Sequence, residues 1–120
     1  MQWHTDLARA ILLQVEKNPY VNAPTTPKVE GYNNDQISYH IMLLAEAGLI
    51  KAMNCSTGLG VQWAATRLTY DGHEFLEKAR SESVWQKAKA LALDRAGTLS
   101  LEAIKIALSE VVKVAITGKP

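Results

Sequence analysis

Residues 33–50, NNDQISYHIMLLAEAGLI, predict a helix with chemically marked ends. Asn33 followed three residues later by Gln36 matches a capping box, in which each side chain bonds the backbone N–H of the other residue. Gly48 suits the left-handed residue that often follows a helix. The apolar residues of this stretch recur at spacings of three and four, which is typical of one buried helical face: Ile37, Ile41, Leu44, Ala45 and Leu49. We therefore expect a helix that begins at Asn33 and ends near Gly48.

Two short apolar segments follow this helix and predict a β-hairpin. Residues 49–56 and 61–68 have the length and the residue types of strands, and residues 57–60, TGLG, supply two glycines for the turn. Ahead of the helix, residues 28–30 predict a short third strand. The central part of the chain is thus predicted to be a helix followed by a hairpin.

One further helix is predicted before this region and three after it. The first ends before Pro19, because the residue ahead of a proline avoids the helical conformation, and another ends at Gly97. Polar residues at the predicted starts can cap these helices: Thr5, Thr69, Ser83 with Gln86, and Ser100. The apolar positions predict a core that contains Leu7, Ile11, Val15, Ile37, Ile41, Leu44, Leu49, Leu68, Phe75 and Leu76.

Three segments resemble parts of winged-helix proteins. Residues 37–41, ISYHI, and 44–50, LAEAGLI, resemble the recognition helix and the first wing strand. Residues 67–76, RLTYDGHEFL, resemble the segment that leaves the wing and enters the next helix. Together with the VWQK element at residues 84–87, they make the whole chain similar to a family of small uncharacterised bacterial and phage proteins with a winged-helix core.

The resemblance implies a mostly helical α+β fold. It comprises a winged-helix core with a reduced helix-turn-helix, a β-hairpin wing and two extra C-terminal helices. Residues 1–80 are predicted to form the core and residues 81–120 a helical hairpin packed on it, within one compact domain. Only Gly31 and Tyr32 separate the predicted third strand from Asn33, so the second helix of a helix-turn-helix is missing or reduced to one turn.

The composition excludes several classes of protein. Of the 120 residues, 48% are apolar, and 13 Lys and Arg face 12 Asp and Glu, which gives a formal net charge of +1. This balance argues against a strongly basic nucleic-acid binder. No apolar run is long enough for a membrane span, the N-terminus does not match a signal peptide, and Cys55 is the only cysteine. We therefore expect a cytoplasmic protein.

The sequence predicts neither an enzyme nor a cofactor or metal site. It has no phosphate loop, dinucleotide fingerprint or nucleophile elbow. The three histidines, at positions 4, 40 and 73, are not at metal-ligand spacing. His40 is either a buried histidine bonded to nearby backbone or a contact residue for a ligand or a nucleic acid.

One functional hypothesis is a DNA-associated regulator of bacterial or phage origin, because winged-helix proteins usually place the recognition helix in the major groove. Asn, Gln and Ser can read base edges, and Lys and Arg can neutralise phosphates. The candidate nucleic-acid contacts are Lys28, Asn34, Gln36, Ser38, Tyr39, His40, Lys51 and Arg67. No Lys or Arg lies between Lys28 and Lys51, so any DNA binding is predicted to be weak.

The alternative hypothesis is a protein-interaction module, phage or prophage related, that does not bind DNA. Trp63 is either part of the core face of the second strand or an exposed anchor for a partner. The last helix, residues 101–116, has more apolar residues than one packing seam needs. This surplus predicts a homodimer whose candidate interface contains Ile106, Val112, Val114 and Ile116.

Overall fold

The computed structural model describes residues 1–20, 23–58, 60 and 62–118. These residues form five helices and a two-stranded antiparallel hairpin in the order α1 (Thr5–Glu16), α2 (Asn34–Glu46), β1 (Ile50–Asn54), β2 (Trp63–Leu68), α3 (Tyr70–Ala79), α4 (Glu82–Ala96) and α5 (Leu101–Thr117). The predicted class, mostly helical α+β, is confirmed. Two residues of the predicted hairpin, Leu59 and Val61, lie outside the described part of the chain.

The chain divides into two compact units, Met1–Glu74 (the N-terminal unit) and Phe75–Pro120 (the C-terminal unit). The N-terminal unit contains α1, α2 and the hairpin, and the C-terminal unit contains α4 and α5. The packing of the C-terminal helices on a winged-helix core stays a prediction from the sequence. In the described part of the chain, no helix is long and apolar enough to cross a membrane.

The predicted ends of α2 are confirmed. Asn33 Oδ1 accepts a hydrogen bond from Gln36 N at 2.8 Å, and Gln36 Oε1 accepts one from Asn33 N at 3.0 Å, which completes the capping box. After the helix, Gly48 has a φ of +80°, a conformation that a residue with a Cβ adopts only with strain. These local signals fix where α2 begins and where the chain turns into β1.

The hairpin is shorter than predicted, and its third strand lies elsewhere. β1 pairs with β2 from Ile50 opposite Leu68 to Asn54 opposite Trp63, with an irregularity between Lys51 and Ala52. Instead of residues 28–30, Thr25 pairs with Ala65 through two backbone hydrogen bonds of 2.7 and 2.9 Å.

The predicted strand at residues 28–30 is wrong because this segment begins a turn. Tyr32 N donates to Val29 O at 3.2 Å, and Gly31 has a φ of +89°. Pro24 and Pro27 flank Thr25 and have no N–H to donate, which limits the pairing there to one bridge.

Two of the four predicted caps are confirmed, and two are wrong. Thr69 Oγ1 accepts from Gly72 N at 3.0 Å, and Ser100 Oγ accepts from Ala103 N at 3.2 Å. Thr5 is buried inside α1, whose cap position is His4. Ser81, and not Ser83, caps α4, because its Oγ accepts from Val84 N at 3.3 Å.

All ten predicted core residues are buried. In the N-terminal unit, α1 and α2 pack against β2, and Leu7, Ile41 and Leu44 are fully buried. In the C-terminal unit, α4 packs on α5, and Trp85 is also buried, with its ring edge-on to that of Phe75 at a centroid distance of 6.4 Å. Trp85 therefore belongs to the core of the C-terminal unit, although it was not among the predicted core residues.

Candidate functional site

The first turns of α2 present one wall of the candidate site. Asn34 and Asp35 are exposed, whereas the Gln36 side chain is already bonded to Asn33 in the capping box. Of the two predicted base-reading amides in this turn, Asn34 is therefore the one whose oxygen is not engaged in the capping box. Asp35, which was not among the predicted contacts, adds a carboxylate to the same surface.

Ser38 connects α2 to the hairpin. Its side chain is buried, and its Oγ accepts a hydrogen bond from Trp63 N at 3.4 Å. This contact aligns the start of β2 with the middle of α2. The predicted contact residue Ser38 thus lies at the base of the site, where it holds two elements together.

His40 is fully buried and makes a hydrogen bond with each ring nitrogen. Its Nε2 accepts from the backbone N–H of His4 at 2.8 Å, and its Nδ1 donates to the carbonyl oxygen of Gln36 at 2.8 Å. This pair of bonds defines a neutral imidazole with the proton on Nδ1. Of the two interpretations of His40, the buried histidine bonded to nearby backbone agrees with the structure.

Aromatic rings surround the His40 imidazole. Trp3 and His4 stack on it at centroid distances of 5.3 and 5.8 Å, and Tyr39 meets it edge-on at 6.0 Å. Burial lowers the pKa of His40, the Gln36 carbonyl partly opposes this by favouring the protonated ring, and nearby His4 lowers the pKa further. The imidazole is therefore a structural link between α1 and α2 that prefers to be uncharged.

Two adjoining cavities between α2 and the hairpin form an open groove, here called the α2–hairpin groove. Their volumes are about 460 and 450 Å³, and both are bordered by Asp35, Ser38 and Gly60. The first cavity is polar, and its other lining residues are Thr26, Lys28, Asn34, Thr57 and Gln62. The second has apolar and aromatic walls formed by Met1, Tyr39, Met42 and Trp63. The groove can thus receive a ligand that is polar at one end and apolar at the other.

A family model described as "Hypothetical protein (DUF2513)" matches residues 3–98. The chain belongs to the DUF2513 family. A relative from Haemophilus influenzae, described as an uncharacterized protein, is 37% identical over 106 residues, which cover 88% of this chain and 90% of the relative. No solved structure matches the chain. The DUF2513 match includes every lining residue of the α2–hairpin groove except Met1, and it ends before α5.

The three cations predicted to bind phosphates in this DUF2513 protein are not all on the groove. Lys28 lines its polar cavity, whereas Lys51 and Arg67 are opposite each other in the hairpin register. Arg67 lines a separate cavity together with His73, and its NH1 donates to the carbonyl oxygen of Leu68 at 3.1 Å. The groove itself therefore has one lysine, Lys28, and one carboxylate, Asp35.

The formal charge is distributed unevenly along this DUF2513 chain. Residues 1–74 contain five Lys and Arg against seven Asp and Glu, a net charge of −2. Residues 75–120 contain eight against five, a net charge of +3. The unit with the candidate recognition helix is thus the acidic one.

The four residues of the predicted dimer interface do not share one face of α5. Ile106 and Ile116 are exposed, and Val112 and Val114 are half-buried. At about 100° per residue, the four positions spread over about 200° of the helix circumference. Val112 and Ile116 are about 40° apart, whereas Ile106 is about 80° from Ile116 on one side and about 80° from Val114 on the other.

Only part of the polar half of the groove is predicted from the sequence, namely Lys28, Asn34 and Ser38. Thr26, Thr57 and Gln62 come from two loops and were not predicted as site residues, and only the folded hairpin brings them opposite Asp35. Tyr39 was predicted as a contact residue; Met42 was not, although it also lies off the predicted apolar stripe of the helix, which is the signal by which it could be found. Among the residues that the structure describes, no group of three His, Cys, Asp or Glu side chains is arranged to hold a metal ion.

Proposed function

We propose that this DUF2513 protein is a protein-interaction module that holds a segment of a partner protein in the α2–hairpin groove. One observation carries the proposal: the polar side chains of α2 that would read bases are largely engaged inside the protein. Gln36 closes the capping box, Ser38 accepts from Trp63 N, and both ring nitrogens of His40 are bonded. A helix whose polar groups are satisfied internally has few left for base edges.

The remaining groove residues suit a protein surface. Tyr, Trp and Met are enriched in the buried centres of protein interfaces, and Tyr39, Met42 and Trp63 line the apolar cavity together. Lys28 and Asp35 line the polar cavity. Lys28 can pair with an acidic group of a bound segment and Asp35 with a basic group, and these two ion pairs fix the direction in which the segment lies. The net charge of −2 on residues 1–74 repels a polyanion but does not oppose a neutral or basic protein segment.

We also propose that the N-terminal unit is a reduced winged helix of a cytoplasmic protein of bacterial or phage origin. In this comparison α2 corresponds to the recognition helix and the β1–β2 hairpin to the wing. Between α1 and α2, the described residues contain no further helix, so the helix that braces a recognition helix against the DNA backbone is not in its usual place. This departure supports a winged helix used for protein contacts.

A DNA-associated regulator is the second candidate, favoured by the exposed amide of Asn34 on the candidate recognition helix. Asparagine can make two bonds to adenine in the major groove. Lys28, Lys51 and Arg67 are all exposed and could contact phosphates at the margins. With so few cations, we expect binding to random duplex at about 0.15 M salt to be no tighter than about 10⁻⁴ M.

The decisive experiment compares a peptide ligand with a DNA duplex on the same protein. Peptides are selected from a random displayed library, and the best one is titrated by fluorescence polarisation. We expect Trp63→Ala and Tyr39→Ala each to weaken peptide binding at least about tenfold, as for interface hot spots. The matched control is Tyr70→Ala, because Tyr70 is 76% exposed and does not line the groove.

Two results would overturn the proposal. One is selected peptides that bind the Trp63→Ala and Tyr39→Ala variants as tightly as the wild-type protein. The other is tight, salt-sensitive binding of a generic duplex that is lost in the Lys51→Ala, Arg67→Ala double variant, which would establish the DNA-associated regulator instead.

A further inference from the structure

The C-terminal unit has a second groove, between α4 and α5, that is independent of the proposed function. This α4–α5 groove has a volume of about 220 Å³. Its floor consists mainly of alanines, and its rim includes Leu91 and Ile106. Ile106 is 63% exposed, so it adds a large accessible apolar side chain to the edge of the groove.

A positively charged and a negatively charged side chain, Arg95 and Glu110, lie towards opposite ends of this groove. Arg95 lies in the last turn of α4, next to the four-residue connection at 97–100 that joins α4 to α5. Glu110 lies on α5, about 10 Å further from that connection than Ala103, at 1.5 Å per residue. Both side chains are exposed, and within the described residues neither forms a hydrogen bond or an ion pair.

We propose that the α4–α5 groove binds the same groove of a second copy of this chain, with the two α5 helices antiparallel. A two-fold interface requires a surface that is complementary to itself. In the antiparallel arrangement, Arg95 of each protomer lies at the same height along the helices as Glu110 of the other. Two equivalent ion pairs therefore form. Ile106 lies midway between Ala103 and Glu110 along α5, and it therefore meets its own copy near the two-fold axis.

The net charge of the C-terminal unit favours the antiparallel register over a parallel one. Each copy has a net charge of +3 over residues 75–120, so two copies repel each other unless opposite charges meet at the interface. The antiparallel register brings Arg95 and Glu110 together, whereas a parallel register would place each beside its own kind. The groove thus defines a smaller interface than the four residues predicted from the sequence, because of those four only Ile106 lines it.

Sedimentation equilibrium over a range of protein concentrations tests the proposal. We expect a monomer–dimer equilibrium whose dissociation constant rises at least about tenfold in Ile106→Glu, because two carboxylates would meet at the centre of the interface. Ile116→Glu is the matched control: Ile116 is 79% exposed, is on the same helix and does not line the groove. Its dissociation constant is expected to stay within about twofold of the wild-type value.

A charge exchange tests the register. Arg95→Glu and Glu110→Arg should each weaken the dimer about tenfold, because each places like charges together twice. The double variant restores both pairs with their signs exchanged and should return to within about twofold of the wild type. A protein that is monomeric at all concentrations, a dimer weakened equally by Ile116→Glu, or a double variant that stays as weak as the single variants would each overturn the proposal.

Discussion

The two units of the molecule differ in the contacts that determine their structure. In the N-terminal unit, bonds between residues far apart in sequence fix the elements: His4 with His40, Thr25 with Ala65, and Ser38 with Trp63. The C-terminal unit is built around two successive helices, each with a serine at its start and a left-handed glycine after its end. The first unit depends on tertiary contacts for its shape, whereas the second is largely specified by local signals.

This difference extends to the surfaces. The N-terminal unit is acidic overall and has a groove with one polar and one aromatic half, and the C-terminal unit is basic and has an alanine-rich groove with an exposed isoleucine. A surface built from several elements can be specific for one shape of ligand. A groove between two regular helices has the same straight shape on every copy of the chain, so two copies can pack together through it. The two units therefore carry two distinct grooves, which we propose as separate interaction surfaces.

The largest effect is expected from a core truncation in the N-terminal unit. Leu44 is fully buried on α2. Leu44→Ala should lower the free energy of unfolding by about 2 to 5 kcal/mol, through lost transfer free energy and a residual cavity. The measurement is urea unfolding followed by circular dichroism. Leu93→Ala is the control in the C-terminal unit, because Leu93 is 51% exposed, and equal losses in the two variants would contradict the described burial.

A close backbone approach should make Gly72 the next most sensitive position. A Cβ added there would overlap the backbone carbonyl oxygen of Leu49, which also accepts from Thr69 N at 3.0 Å. Because a backbone atom has little room to move, Gly72→Ala should destabilise the protein by about 1 to 3 kcal/mol or more.

Gly58→Ala is the matched control for Gly72→Ala. Gly58 is in the turn of the hairpin, with nothing within 4 Å of an added Cβ. The free energy of unfolding of the Gly58→Ala variant should differ from that of the wild type by less than about 1 kcal/mol. Thermal unfolding of both variants against the wild type measures the difference, and an unchanged midpoint for Gly72→Ala would show that α3 can move away from Leu49.

The buried imidazole predicts that stability depends on pH. The pKa of His40 is lowered in the folded protein, below the ordinary value of 6.5 that it has in the unfolded chain. Below pH 6.5 the unfolded chain binds a proton that the folded protein does not, so stability falls as the pH falls from 6.5 towards the lower folded pKa. One group accounts for at most about 1.4 kcal/mol per pH unit.

The pH effect is measured by urea unfolding at several pH values between 7.5 and 5 in wild-type and variant proteins. His40→Gln removes the titrating group and should flatten the slope, even if it lowers stability at every pH. His73→Gln is the control, because His73 is exposed. A wild-type slope that survives in His40→Gln would assign the pH dependence to another group.

The sequence predicts what is encoded locally and misses what the tertiary fold assembles. The capping box of Asn33 and Gln36 and the ten core positions depend on residues within a few turns of each other, and all are confirmed. The pairing of Thr25 with Ala65 joins residues forty positions apart, and no local pattern predicts it.

The candidate site shows the same limit of prediction. The helical period places Tyr39 off the buried stripe of α2, and Tyr39 is half-buried in the structure. Burial was one of two interpretations of His40, but the residues that bury it, Trp3 and His4, lie at the start of another helix and follow from no local pattern. The polar lining of the α2–hairpin groove likewise appears only when Thr57 and Gln62 meet α2. The site is thus less predictable than the fold, since more of its geometry comes from non-local contacts.

The smallest predicted effect concerns which of two nearby serines, Ser81 or Ser83, caps α4. The sequence predicts a cap at Ser83 with Gln86, but Ser81 Oγ accepts from Val84 N, and Gln86 donates to Glu82 instead. Removing a cap costs about 1 kcal/mol, because a backbone N–H at the helix start loses its partner. Ser81→Ala should therefore destabilise the protein by about that amount. Ser83→Ala should change stability by less than about 0.5 kcal/mol, because Ser83 is an exposed residue in the first turn of α4. Chemical unfolding of both variants measures the difference, and the opposite ranking would place the start of α4 two residues later, where the sequence pattern alone predicts it.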